Sequence, residues 1–246
     1  MGKKKLAYFH MGFAVLLIVV VLILMRGTLR ETAMIVLPEM PADSSGTEGG
    51  ASQNGLHVIS VTPQTVQAAI STLDRPVAYQ RQQVVETFWS NGSGRSVSQV
   101  SVSGDYTRID TPLADSSVSH MLVAGGTVAV WYDEDLTWTT LHSDHFTADI
   151  AQRMLTYEAV LELPTVRISQ ADYRNYDNIY CIYVTTEPDE DGYSESFWVS
   201  VESGLLVAAE RFYDGALIYR FSAAEPETED LDSDLFLLPD GSSLNS

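Results

Sequence analysis

Leu205-Leu206-Val207-Ala208-Ala209-Glu210-Arg211-Phe212-Tyr213-Asp214-Gly215-Ala216-Leu217-Ile218-Tyr219-Arg220-Phe221-Ser222 reads as two strands around a two-residue turn. Asp-Gly favours such a turn because its tight geometry needs positive φ at both central residues. Counting outward sets Tyr213 opposite Ala216, Phe212 opposite Leu217 and Ala208 opposite Phe221. In that register Phe212, Leu217, Phe221, Ala208 and Leu206 share one face, with Tyr219 and Glu210 among them. The other face carries Arg211, Tyr213, Ile218 and Arg220. One apolar and one amphipathic face is the pattern of an antiparallel sheet covered on one side.

The chain around this hairpin repeats the pattern. Upstream, Tyr180 to Thr186 and Ser196 to Val201 read as strands, and Ile150, Met154 and Tyr157 predict a helix over Thr147 to Tyr157. Earlier still, strands are predicted at Val77 to Ser90, Arg95 to Ser103 and Tyr106 to Asp110. Further strands follow at Val118 to Val123, Thr127 to Tyr132 and Leu136 to Leu141. Asn91-Gly92, Gly104-Asp105 and Gly125-Gly126 supply turns. A helix opens the set, with Thr62 as its cap, Pro63 in its first turn and Val66, Ala69, Ile70 and Leu73 on one face. Arg75-Pro76 ends it. After the hairpin, Glu225 to Asp234 reads as a loose acidic tail, and Leu235 to Pro239 as a segment that packs back.

Four stretches resemble a known family. Asp105-Tyr106-Thr107-Arg108-Ile109-Asp110 resembles a "yRid" strand, and Val128-Ala129-Val130-Trp131-Tyr132-Asp133 the "v.vyd" strand after it. Phe197-Trp198-Val199-Ser200-Val201-Glu202-Ser203-Gly204-Leu205 resembles an "fWvd..tGlp" hairpin, with Ser200 and Leu205 in place of Asp and Pro. Leu235-Phe236-Leu237-Leu238-Pro239-Asp240-Gly241 resembles a closing "lF.lP.g". Together, over Thr62 to Gly241, they resemble the LolA/LolB-like half-barrel superfamily of lipoprotein carriers and RseB-type envelope regulators. The resemblance implies an α+β fold: a curved antiparallel β-sheet half-barrel with covering helices. It also implies an apolar concave site, for which Phe88, Trp131, Trp138, Phe197, Phe212 and Phe221 are the aromatic candidates. Ordinary core packing makes the same sequence pattern.

The N-terminus points to a membrane. Leu6 to Met25 carries no charged side chain and follows Lys3, Lys4 and Lys5. About 20 apolar residues of helix span a hydrocarbon core of about 30 Å. A cleaved signal peptide has a shorter apolar run and a small-x-small site, whereas this run ends in Met25-Arg26-Gly27. The expectation is a cytoplasmic tail at 1–5, a transmembrane helix at 6–25, a flexible linker at 26–55 and an extracytoplasmic LolA-like domain at 56–246. Within the linker, Pro38 to Gly55 has a tether composition with a random-coil reach of about 20–25 Å.

Charge and chemistry narrow the function. The 246 residues carry a net charge of −19. From Leu56 onward 29 Asp and Glu stand against nine Arg, and no lysine follows Lys5. Such a domain is repelled by nucleic acid and anionic surfaces. The single Cys181 lies in an apolar run and reads as a small buried hydrophobe. His142-Ser143-Asp144-His145 is an incomplete metal set, with Asp144 placed as a turn or cap residue. Asp189-Glu190-Asp191-Gly192 lacks the final Glu of a calcium loop and reads as a solvated hairpin loop. Asn91-Gly92-Ser93 is formally a glycosylation sequon and is explained by its turn. No nucleophile elbow, phosphate loop or dinucleotide fingerprint occurs, so neither an enzyme nor a cofactor is expected. The expectation is a membrane-anchored extracytoplasmic binder of a lipid, lipoprotein acyl chain or hydrophobic peptide. The alternative is a non-catalytic partner-binding or regulatory module for an envelope or spore cell-wall protein.

Overall fold

A computed structural model describes residues 60–133, 137–142, 154–228 and 230–244. The predicted anchor and tether lie outside these residues, as does the predicted helix up to residue 153. Among the described residues no helix is long and apolar enough to cross a membrane.

Eleven strands make one open antiparallel sheet. In chain order they are β1 Ala78–Trp89, β2 Gly92–Ser103, β3 Tyr106–Pro112, β4 Val118–Ala124, β5 Thr127–Tyr132 and β6 Thr139–His142. The second set is β7 Ile168–Tyr176, β8 Ile179–Thr186, β9 Tyr193–Ser200, β10 Leu206–Tyr213 and β11 Ala216–Ala223. Two short helices, α1 Val66–Ser71 and α2 Glu158–Leu161, precede the two sets. The spatial order is β6-β5-β4-β3-β2-β1-β11-β10-β9-β8-β7. The sheet is thus two meanders, each zipped by hairpins, joined where β1 pairs with β11 from Gln83↔Ala223 to Thr87↔Tyr219. A curved open sheet with few helices is the architecture of a half-barrel.

Most turns follow from sequence. Asp214-Gly215 links Tyr213 to Ala216 with φ of 49° and 77°. Gly125-Gly126 does the same between Ala124 and Thr127, with φ of 55° and 76°. The first hairpin differs: Trp89 pairs with Gly92, so the turn is Ser90-Asn91 rather than Asn91-Gly92. Strand β7 has no counterpart among the predicted strands. Its turn, Asp177-Asn178, reaches φ of 49° and 68° without glycine, because Asp and Asn tolerate that region.

The hairpin around Asp214-Gly215 needs a larger correction. Phe212 pairs with Leu217 as counted, but Arg211 then pairs with Tyr219, Glu210 with Arg220 and Ala209 with Phe221. Ile218 is an extra residue in β11, a bulge that moves every later pair by one. Side chains alternate with period two, so the slip exchanges faces. Tyr219 and Phe221 therefore share a face with Ala209 and Arg211, while Ala208, Glu210 and Phe212 lie on the other.

The two faces have different covers. On the inner face Val100, Ile109, Met121 and Val128 form a buried cluster capped by Met154. On the outer face Leu122, Ala129 and Trp131 pack against Phe236 and Leu238 of the C-terminal segment, which therefore packs back as expected. Large side chains such as Phe221 and Leu122 are fully buried, and each stabilises the fold by about 1.5–3 kcal/mol.

Candidate functional site

The helical cover is fixed to itself and to the sheet by two polar devices. Gln67 of α1 donates through its amide nitrogen to the carbonyls of Val160, Leu161 and Leu163 at 3.1, 3.0 and 2.8 Å. One side chain thereby satisfies the orphan carbonyls at the end of α2. Arg75, just after α1, donates to Ile70 and Leu73 and, across the structure, to the Gly204 carbonyl at 3.0 Å. Its guanidinium also stacks 3.5 Å from the Tyr157 ring centroid. Gly204 sits at φ +67°, and a Cβ there would meet the Asp74 carbonyl oxygen at 2.6 Å. Glycine in the "tGl" stretch is therefore what lets the β9–β10 turn touch the end of α1.

Between cover and sheet lies a cleft of about 460 Å³. Its floor is Phe197 and Ala209, paired across β9 and β10, with Tyr219 of β11 diagonal to Ala209 on the same face. Its roof is Leu155, Ala159, Leu163 and Pro164 around α2. Glu162, Glu195, Glu210 and Arg211 also line it, with Arg211 bonded to Glu195 at 2.6 Å and Glu210 to Arg220 at 2.9 Å. This combination of apolar walls and a few polar groups is typical of small-ligand sites, which run about 300–1,000 Å³. Burial pushes the Tyr219 phenol up, so the floor stays uncharged at all ordinary pH.

A larger cavity of about 650 Å³ lies at the seam where β2–β3 pairing stops at Gln99↔Asp110. Ser96, Ser98 and Thr111 line it together with Val97, Leu113 and Val118, without an aromatic side chain. It lies where the ladder ends, whereas the smaller cleft lies between the helical cover and the sheet with Phe197 and Tyr219 in its lining, so the smaller cleft is the better candidate.

The six aromatic candidates do not come together. Phe197 forms the cleft floor, and Phe221 is buried on the same face beside Ala209. Phe88 is on the outer face, 5.9 Å from the Arg220 guanidinium. Phe212 pairs with Ser194 on that face too. Trp131 and Trp138 pack into the outer cluster beneath the C-terminal segment. Sequence reasoning missed Ala209, Tyr219 and the roof residues. The bulge at Ile218 hid the first two, because an even count through the hairpin puts them on opposite faces.

Charged groups elsewhere are structural. Arg81 is 5% exposed on the inner face and donates to the Leu206 carbonyl at 2.8 Å. Burial pushes its pKa down, against the opposing influence of Tyr79 and Glu225, and its Nε has no partner among the described residues. On the outer face His120 bridges Asp110 at 2.7 Å and Asp133 at 2.8 Å and stacks on Trp131. Arg108 binds Asp110 and reaches the Leu235 carbonyl at 2.9 Å, which fastens the C-terminal segment. Cys181 is fully buried, and burial pushes its thiol up to about 12. Asp189 accepts from the Asp191 and Tyr193 amides, as an ordered hairpin loop does. His142 ends β6 beside Thr127, and the rest of its motif lies outside the described residues.

No protein-family model and no curated protein matches the sequence. Solved structures similar to the chain include a LolA-superfamily protein from Nitrosomonas europaea, at 14% identity and TM-score 0.37, covering 72% of this chain and 98% of that one. The Mycobacterium tuberculosis lipoprotein LppX is similar at 12% identity and TM-score 0.41, covering 70% and 95%. MucB in complex with MucA(peri) is similar at 14% identity and TM-score 0.36, covering 68% of this chain and 56% of MucB. The chain thus spans little more than half the length of MucB. These likenesses are distant and concern the fold alone.

Proposed function

We propose that this chain is a non-catalytic binder of an apolar ligand, held outside the cytoplasm by Leu6 to Met25. The observation that carries the reading is the cleft between α2 and the inner face, with Phe197, Ala209 and Tyr219 as an uncharged floor. An alkyl chain laid there leaves water on both sides, worth about 0.8 kcal/mol per buried methylene. The Gln67 and Arg75 contacts hold the roof in place, so little ordering cost remains at binding. The run from Leu6 to Met25, free of Asp, Glu, Lys and Arg and followed by a tether composition, supports a site working beside the membrane.

The test is uptake of a neutral, environment-sensitive naphthylamine dye by the full chain in nanodiscs, with empty nanodiscs subtracted. Ala209→Phe fills the floor and abolishes protein-dependent uptake, while Ser222→Thr on the outer face leaves it unchanged. Equal uptake by wild type and Ala209→Phe sinks the proposal. Alkaline-phosphatase fusions after residue 55 test the orientation, and inactivity of those fusions counts against it. A protein-binding role is the second reading, supported by the open outer edge of β7, nine residues long. Photo-crosslinking from Tyr173 that recovers no protein removes it.

A further inference from the structure

Every arginine among the described residues already meets a carboxylate or a backbone carbonyl. No lysine follows Lys5 anywhere in the chain. At the cleft edge Arg211 turns both its Nε and one terminal nitrogen to the same Glu195 oxygen, at 2.9 and 2.6 Å. That leaves the second Glu195 oxygen without a side-chain partner among the described residues. Glu162, exposed on the roof, forms no ion pair among the described residues. Arg81, whose buried Nε has no partner among the described residues, does not line the cleft. Among the described residues the edge therefore carries Glu162 beside a Glu195–Arg211 pair, with Glu210 held by Arg220, so the unbalanced charge is that of Glu162, over a floor with two aromatic rings.

From this we infer that the cleft selects amphiphiles with a cationic head group, an alkyl chain ending in an exposed ammonium, over those with an anionic head. The inference rests on the apolar-cleft reading above and adds the chemistry of the head. A chain between Leu163 and Phe197 puts its head group at the edge beside Glu162 and Glu195. An ammonium gains charge attraction there, and rings such as Tyr219 favour it further. A sulfonate or carboxylate meets Glu162 and, among the described residues, only a guanidinium already engaged by Glu195. Glu195 is 17% exposed, so its charge is only partly screened by solvent.

The experiment uses the full chain in phosphatidylcholine nanodiscs and three dodecyl probes with one diazirine in the chain. Their heads are trimethylammonium, maltoside and sulfonate, and peptide mass spectrometry reads the label on 155–164, 195–199 and 207–219. We expect the trimethylammonium-to-sulfonate ratio at the cleft to exceed one and to fall about tenfold in Glu162→Arg, a change of about 1.4 kcal/mol. Maltoside labelling stays constant between the two proteins. Equal ratios in wild type and Glu162→Arg, or a wild-type ratio below one, overturn the inference. If the maltoside probe labels the cleft while the ratio stays near one, only the head-group selection fails. If no probe labels it, the apolar-cleft reading fails as well.

Discussion

Gly204→Ala is the sharpest test of how the cover is attached. Gly204 holds φ +67°, where an L residue costs about 1–2 kcal/mol. The new Cβ would also stand 2.6 Å from the Asp74 carbonyl oxygen and 2.8 Å from the Arg75 Cγ. The first neighbour is backbone and cannot rotate away, so the β9–β10 turn and the end of α1 must separate. Separation breaks the hydrogen bond from Arg75 Nε to the Gly204 carbonyl, which from a charged donor is worth about 1.5–3 kcal/mol. The total is about 3–5 kcal/mol, a large share of a typical 5–15 kcal/mol stability. With an m-value of about 2–3 kcal/mol/M, the urea midpoint falls by about 1–2 M. Tryptophan fluorescence of the full chain in nanodiscs reads that midpoint. Arg75→Ala in the Gly204→Ala background should then cost less than it does alone, because the shared contact is already gone while those to Ile70, Leu73 and Tyr157 remain. A midpoint shift below about 0.3 M, or full additivity of the two substitutions, refutes the proposed attachment.

Gln67→Leu removes the amide that serves the Val160, Leu161 and Leu163 carbonyls and should destabilise by about 2–3 kcal/mol. Hydrogen exchange over 158–164 should rise more than over β4, and a uniform change argues against a local clamp. The Cys181 thiol, pushed up to about 12, should resist a disulfide reagent at pH 8 until the domain unfolds. A raised thiol pKa means the folded state keeps its proton longer. Its stabilising contribution is thus complete below about 9 and lost as pH rises through about 12, which chemical denaturation at pH 8 and pH 10.5 checks. The bulge predicts that Glu210→Cys with Arg220→Cys forms a disulfide, whereas Glu210→Cys with Tyr219→Cys does not. The reverse result, on non-reducing gels, restores the even register.

Several elements are legible in the sequence because each rests on a local rule. Asp214-Gly215 and Gly125-Gly126 turn where they do because only residues tolerant of positive φ fit there. The Gly125-Gly126 turn sets the register of β4 against β5, from Ala124↔Thr127 outward. The C-terminal Leu235 to Pro239 packs back because its leucines and Phe236 have no other cover. The lone cysteine among Ile179 to Val184 is buried as its neighbours require.

The sequence by itself therefore determined the class of fold, the strand inventory apart from β7, and the acidic, lysine-free character of everything beyond Lys5. Tertiary structure alone decided which side chains share the cleft. Ile218 bulges without any residue that marks a bulge, and one inserted residue flips a whole strand's faces because side-chain alternation has period two. It also decided that Trp131 and Trp138 serve the outer face, since a strand with apolar residues on both sides is silent about which cover each side receives. Finally, β1 and β11 meet although about 130 residues separate them. No local pattern encodes that pairing, yet it brings the two meanders into one sheet that carries the apolar cleft.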